Sequence, residues 1–297
     1  MNGIYKKLHT KYISIDNSNN VTEDIILEAL ESCYTNTAFS TFPYYFENLN
    51  SEQAIKQTNS GNCVALSMYI RNYLKEKHSI NSCLIPATIP EKYNKPEYLT
   101  ISHVALAVPI SNEKYFIVDP AFYFLNPILV NTATSKSNIV FSKNIYTPET
   151  SSNLENYSSL DIVITQTQFI GDTIKLNEWQ TIPANIFLST CYTPGEDIND
   201  TWHYFLCEIV NPDEAITKYF IEFQEPFITS TEGDDNKIPQ MNFYLKIKDG
   251  KISYSKNLKN KVIFDVNTIT LQEIDKINSD LSVFFRGKFK DYLANLN

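Results

Sequence analysis

The chain has 297 residues, 43% of them apolar and 20% charged, a balance that belongs to a globular fold and excludes a disordered one. With 25 basic against 34 acidic residues the net charge is −9, which argues against a phosphate-neutralising surface and against adsorption to anionic membranes; neither nucleic acid nor a membrane is expected as a partner. No run of apolar residues is long enough to span a bilayer, and the N-terminus lacks the continuous apolar stretch of a secretory signal. The five cysteines are odd in number, widely spaced and form no CxxC pair, so neither a disulfide framework nor a metal site is expected, and reduced thiols in a cytoplasm fit.

The first third reads as helical. Thr22-Glu23-Asp24 has the look of a cap followed by an acidic first turn, and Ile26, Leu27, Leu30 and Tyr34 then form an apolar stripe at helical spacing. After a loop with Pro43, FENLNSEQAIKQ predicts a short helix. Residues 60–77 predict a strong one, with Leu66, Ile70, Tyr73 and Leu74 on one face and Lys75, Lys77 and His78 where the helix dipole favours cations. Strands begin with SCLIPAT. ISHVALAV and KYFIVDPAF follow, joined by a hairpin connection, and SNIVFS, LDIVITQTQ, HYFLCEIV, TKYFIEFQ, NFYLKIK and KVIFDV continue the β pattern. A polar stretch over residues 131–160 breaks it, and the end of the chain, from LQEIDKIN onward, returns to helical spacing. We divide the chain into a helical part (1–85), a β-rich part (86–190) and a C-terminal α/β part (191–297).

The residues that carry chemistry are Cys63, His103 and Asp119. Cys63 follows Gly61-Asn62 and opens the predicted helix. A thiol at a helix N-terminus is biased toward the thiolate, and the free N–H groups there suit an oxyanion. Taken alone, such a cysteine is as well explained as a small buried hydrophobe. A hairpin centred on Ser111–Asn112 makes paired residue numbers sum to 222–224, which puts His103 opposite residues 119–121. Cross-strand Cβ atoms lie about 4.5–5.5 Å apart, so a carboxylate is delivered to the imidazole. A thiol, a base and an acid orienting the base are what a cysteine nucleophile requires. Alternation places Ala105 and Ala107 on the face of His103, where small residues leave room for a substrate. His203 beside Trp202 reads as half-buried packing, and Cys33, Cys83, Cys191 and Cys207 lack a neighbouring base.

In order, FPYYFENLN, SGNCVAL, HVALAV and KYFIVDPAF resemble signatures of the arylamine N-acetyltransferase family: its PFENL, its RGGxC, its H-V-x-L-x-V and its Y-x-V-D segment. The spacings of 40 residues from Cys63 to His103 and 16 from there to Asp119 agree with that family. The resemblance covers residues 40–125. It departs at Asn59, where the family has arginine, at Ser60, where it has glycine, and at Pro120, an Asp-Pro more like transglutaminase-like proteins. Glu47 thereby loses its family partner and is expected to find another cation or to lie toward solvent.

The resemblance implies an α+β fold with a papain-like cysteine core, a β-rich C-terminal part and a terminal helix. It implies an acyltransferase that moves an acetyl group from acetyl-CoA, a donor substrate and not a bound cofactor, to a small-molecule amine through an acyl-enzyme on Cys63. His103 acts as base and Asp119 orients it. The alternative keeps the triad but takes an amide donor, as a transglutaminase-like or peptidase-like enzyme, and a third reading is a binding module without catalysis.

Overall fold

The computed structural model describes residues 10–11, 13, 20–88, 101–122, 127–131, 136–137, 140–143, 157–166, 173–175, 181–183, 187–192, 202–215, 221–230, 237–256, 259–280 and 288–294. Its helices are α1 (Glu23–Asn36), α2 (Phe42–Phe46), α3 (Ser51–Thr58), α4 (Cys63–His78), α5 (Leu271–Asp280) and α6 (Lys288–Ala294). The strands of its first half are β1 (Thr10–Lys11), β2 (Ala38–Ser40), β3 (Ser60–Gly61), β4 (Cys83–Thr88), β5 (Ile101–Pro109), β6 (Lys114–Val118), β7 (Ile128–Asn131), β8 (Lys136–Ser137) and β9 (Val140–Lys143). Those of its second half are β10 (Tyr157–Gln166), β11 (Thr173–Lys175), β12 (Thr181–Pro183), β13 (Phe187–Tyr192), β14 (Trp202–Phe205), β15 (Glu208–Ile209), β16 (Ile221–Ser230), β17 (Lys237–Lys248), β18 (Lys251–Lys256) and β19 (Lys259–Asp265).

Local chemistry sets the helix starts. In α1, Ile26, Leu30 and Tyr34 are buried as the stripe requires, with Ala29 and Cys33 filling between them. The helix expected from Phe46 starts later, at Ser51, because Asn48 turns left-handed at φ 51 and Asn50 caps, its side chain accepting from Gln53 while Gln53 answers on the Asn50 N–H. The helix expected from residue 60 starts at Cys63. Ser60 and Gly61 are spent as a strand beside Ala38 and Phe39, and Asn62 then caps α4. Helices α5 and α6 lie in the terminal segment expected to be helical, of which residues 281–287 lie outside the described residues.

Nine strands form one sheet in the order β8-β7-β6-β5-β4-β14-β13-β10-β9, and six form another in the order β19-β18-β17-β16-β2-β3. One core joins α1 and α4 to β5 through Leu30, Cys33, Leu66, Ile70, Val104, Leu106 and Val108. A second joins α2 to the six-stranded sheet and the terminal helices through Phe42, Leu245, Ile252, Ile277 and Tyr292. The mixed helix and sheet architecture is the α+β arrangement expected. The hairpin of β5 and β6 pairs Leu106 with Val118 and Pro109 with Tyr115, a register sum of 224. A bulge lies where β4 pairs β5: Ala87 faces His103 but Thr88 faces Ile101. Core positions on β5 therefore run 104, 106, 108 in alternation but jump by three from Ile101 to Val104.

Gly61 sits at the end of the edge strand β3, one residue from the cap of α4. A Cβ there would stand 2.3 Å from Ala65 Cβ and 2.9 Å from the Tyr44 hydroxyl, so no side chain fits without moving the α4 entry. Gly61→Ala is expected to destabilise the protein by about 1–3 kcal/mol, read as a lower urea midpoint with an unchanged slope.

Candidate active site

The structure brings Cys63, His103 and Asp119 together. Cys63 is the first residue of α4 and His103 lies on the interior strand β5 beside the bulge. Asp119 follows β6 directly and precedes a 3-10 turn (Pro120–Phe122), a place that suits Pro120 because the ring supplies the turn's φ and its missing N–H is not needed there. The three are 6%, 2% and 1% exposed. His103 Nε2 meets Asp119 Oδ2 at 2.7 Å. The ring is also hydrogen-bonded to the Cys63 side chain, and with Nε2 engaged by the carboxylate, Nδ1 is the nitrogen left for the thiol. The ladder stops at Leu106 and Val118, so the carboxylate reaches His103 diagonally, from the turn, and not from a position directly opposite.

Burial acts to lower the His103 pKa, but the Asp119 charge, the hydrogen bond to it and the contact with Cys63 outweigh burial and raise it from 6.5 to about 10. The shift favours the protonated ring beside Cys63. Cys33, in contrast, is wholly buried, and burial pushes its thiol up to about 12 despite its hydrogen bond with the Thr37 hydroxyl. Burial likewise pushes the Cys83 thiol up, so both are inert packing. The side chains of His203 and Cys191 lie outside the described residues.

Two features of the site are absent from the sequence reading. Tyr204, fully buried on β14, donates to Asp119 Oδ2 at 2.7 Å, so one carboxylate oxygen serves both the phenol and the ring. The row Tyr204–Ala87–His103 runs across β14, β4 and β5 in register, and the small residue in the middle leaves the gap the phenol crosses. HYFLCEIV was legible as a strand, but its pairing with β4, more than a hundred residues earlier, was not. The second feature is the cap. Asn62 Oδ1 accepts from the N–H groups of Val64 and Ala65, and the Leu66 N–H bonds the Asn62 carbonyl. Of the N–H groups expected to face an oxyanion, the one left without an acceptor among the described residues is that of Cys63 itself.

Two expectations change. Ala105 and Ala107 are fully buried, so the face expected to hold a substrate is packed over. Glu47, expected to find a cation or to lie toward solvent, is half-buried and accepts from the Tyr292 hydroxyl of α6, whose ring stacks on Phe46 at 4.7 Å. Asn59, at the arginine position, is left-handed at φ 47, a conformation asparagine tolerates better than arginine. Among the described residues no group of three or more His, Cys, Asp or Glu side chains is placed to hold a metal ion, and no helix is long and apolar enough to cross a membrane.

No protein-family model matches the chain, and no curated protein sequence does. Solved structures match it in fold. Arylamine N-acetyltransferase C of Bacillus anthracis aligns with 11% identity over 92% of this chain and 93% of its own, at a TM-score of 0.50. The arylamine N-acetyltransferase of Salmonella typhimurium aligns with 10% identity over 94% of each chain at 0.49. One from Bacillus cereus, described by its Cys-His-Glu catalytic triad, aligns with 12% identity over 89% of this chain and 91% of its own at 0.48. The helix that begins at Cys63, the strand that carries His103 and the turn that follows Asp119 thus belong to a chain that has the arylamine N-acetyltransferase fold.

Proposed function

We propose that the protein is a thiol acyltransferase that carries an acetyl group from acetyl-CoA to a small-molecule amine, with Cys63 as nucleophile, His103 as acid and base, and Asp119 orienting the ring. The observation that carries this reading is the buried Cys63–His103–Asp119 relay at the start of α4, on a fold shared with solved arylamine N-acetyltransferases. Cys63 gives its proton to His103, its sulfur attacks the thioester carbonyl carbon, and the Cys63 N–H meets the oxygen as it gains charge. Collapse expels the CoA sulfur, which takes a proton from the His103 imidazolium, and leaves an acyl thioester on Cys63. An amine then attacks that carbonyl, His103 accepts the amine proton, and the Cys63 sulfur leaves with the ring protonated again beside it. Throughout, Asp119 holds Nε2 and Tyr204 holds the carboxylate, so neither the tautomer nor the ring angle has to be found anew.

Incubation with acetyl-CoA is expected to add one acetyl group to Cys63, read by intact mass, and double-reciprocal plots against an aromatic amine are expected to be parallel. Cys63→Ser is expected to abolish both. Loss of His103 is expected to cost roughly 10²–10⁴-fold in turnover. Intersecting lines, or turnover in Cys63→Ser, refute the mechanism. A Cys63 that is reactive but never acylated by any acyl-CoA points instead to an amide donor.

The protonated ring has a consequence for stability. The folded chain keeps a proton on His103 up to about pH 10, whereas an unfolded chain releases it near 6.5. Folding therefore binds a proton between those values, and the stability from this contact is whole below pH 6.5 and lost as pH rises through 10. The melting temperature is expected to fall across that window, and the fall is expected to be shallower in His103→Gln. Equal slopes in the two proteins would show that the ring is neutral.

Tyr204→Phe isolates the phenol. It is expected to lower turnover by about tenfold, the size of one lost hydrogen bond to a charged group, with little change in the KM for acetyl-CoA. Steady-state kinetics on the purified variant checks this.

A further inference from the structure

The residue before Cys63 is gripped at two points by one side chain. The Tyr44 hydroxyl accepts from the Asn62 backbone N–H at 3.2 Å and stands 2.8 Å from Asn62 Oδ1. It is also 3.0 Å from Ser51 Oγ, which lies 3.2 Å from the same Asn62 oxygen and touches the Asp213 carboxylate. Proton counting sets the directions. A carboxylate only accepts, so the Ser51 hydroxyl donates to Asp213, and the single Tyr44 proton goes to Asn62 Oδ1, the shorter of its two contacts. Tyr44, Ser51 and Asn62 are 6%, 0% and 3% exposed. Burial is the main reason the Tyr44 phenol holds its proton well above the ordinary range, so it stays a donor. Gly61 admits the phenol, because a Cβ there would meet it at 2.9 Å.

We propose that Tyr44 is a positioning residue for the Cys63 nucleophile, acting through Asn62; this rests on the reading of Cys63 as nucleophile. The clasp fixes Asn62 at both its backbone and its amide. With Oδ1 held, the Val64 and Ala65 N–H groups stay engaged and the Cys63 N–H stays the outward donor. With the Asn62 N–H held, the chain enters α4 at one angle, which sets where Cys63 sulfur meets His103. No arginine stands at 59 and Glu47 is occupied by Tyr292, so the tie on this loop comes from the opposite side, from α2 and α3.

The test is the second-order rate of Cys63 alkylation by iodoacetamide, read site by site by peptide mass spectrometry across neutral pH, and it needs no acyl transfer. In the wild type Cys63 reacts far faster than buried Cys33. Tyr44→Phe removes one oxygen and is expected to slow Cys63 by about tenfold and to change the shape of its pH profile, while Cys33 stays protected. Asn62→Ala is expected to give a loss of the same size, and the double variant no more than either single one. An unchanged rate and profile in Tyr44→Phe, or losses that multiply in the double variant, overturn the proposal. If Tyr44→Phe does not fold, Asn62→Ala decides alone: a tenfold loss supports the clasp and an unchanged rate overturns it. A wild-type Cys63 no faster than Cys33 overturns the nucleophile reading itself and this inference with it.

Discussion

The structure depends on a buried carboxylate. Asp119 is 1% exposed, and an anion taken out of water is tolerated only where charge and hydrogen bonds replace the water. One of its oxygens receives both: the His103 imidazolium from β5 and the Tyr204 phenol from β14. That demand explains the architecture around it. Two strands far apart in sequence must flank β4 in register, β4 must carry a small residue between them, and β6 must end where its next residue turns back toward the ring. The raised pKa of His103 is the same fact seen from the base. Burial pulls the ring the other way, but the Asp119 charge and hydrogen bond outweigh it and favour the protonated ring beside Cys63.

The Cys63 end obeys a different constraint, which is close approach. The six-stranded sheet ends in β3, whose two residues lead through Asn62 into α4. Chain, helix and phenol converge there, and only a residue without Cβ fits at 61. Glycine is rare in this chain, 7 in 297, so its presence at that point marks crowding and not general looseness. The sequence motif and the packing have one cause: Gly61 stands two residues before Cys63 because the α4 entry is pressed against Tyr44 and Ala54.

What was legible in the sequence follows the range of each interaction. The helix beginning at Cys63, the β5–β6 hairpin and its register of 224 are local, and they come from capping, periodicity and one turn. Hence Cys63, His103 and Asp119 could be singled out from residue types and spacing. The exact approach of Asp119 could not, because a bulge on β5 and an early end to the ladder replace direct opposition with a diagonal one. Tyr204 was invisible for a stronger reason. Its role exists only after β14 pairs with β4, and no pattern within either strand names the other. The burial of Ala105 and Ala107 has the same origin, since alternation gives the face of a strand but not what lies over that face.

The departures from the family's signatures show one constraint met by other residues. An arginine at 59 paired with a glutamate at 47 would link the α3–α4 turn to the segment after α2 by charge. Here position 59 is a left-handed helix end, where asparagine costs less than arginine, and the glutamate takes a phenol from α6. The turn is then held by neutral hydrogen bonds between Tyr44 and Asn62, with the Ser51 hydroxyl beside them donating to Asp213 beyond β15. An ion pair near a reactive thiol adds its own field to the site, whereas a chain of neutral donors adds geometry with little field. Among the described residues, His103, held by its place on β5 and by Asp119, is what brings a cationic group beside Cys63.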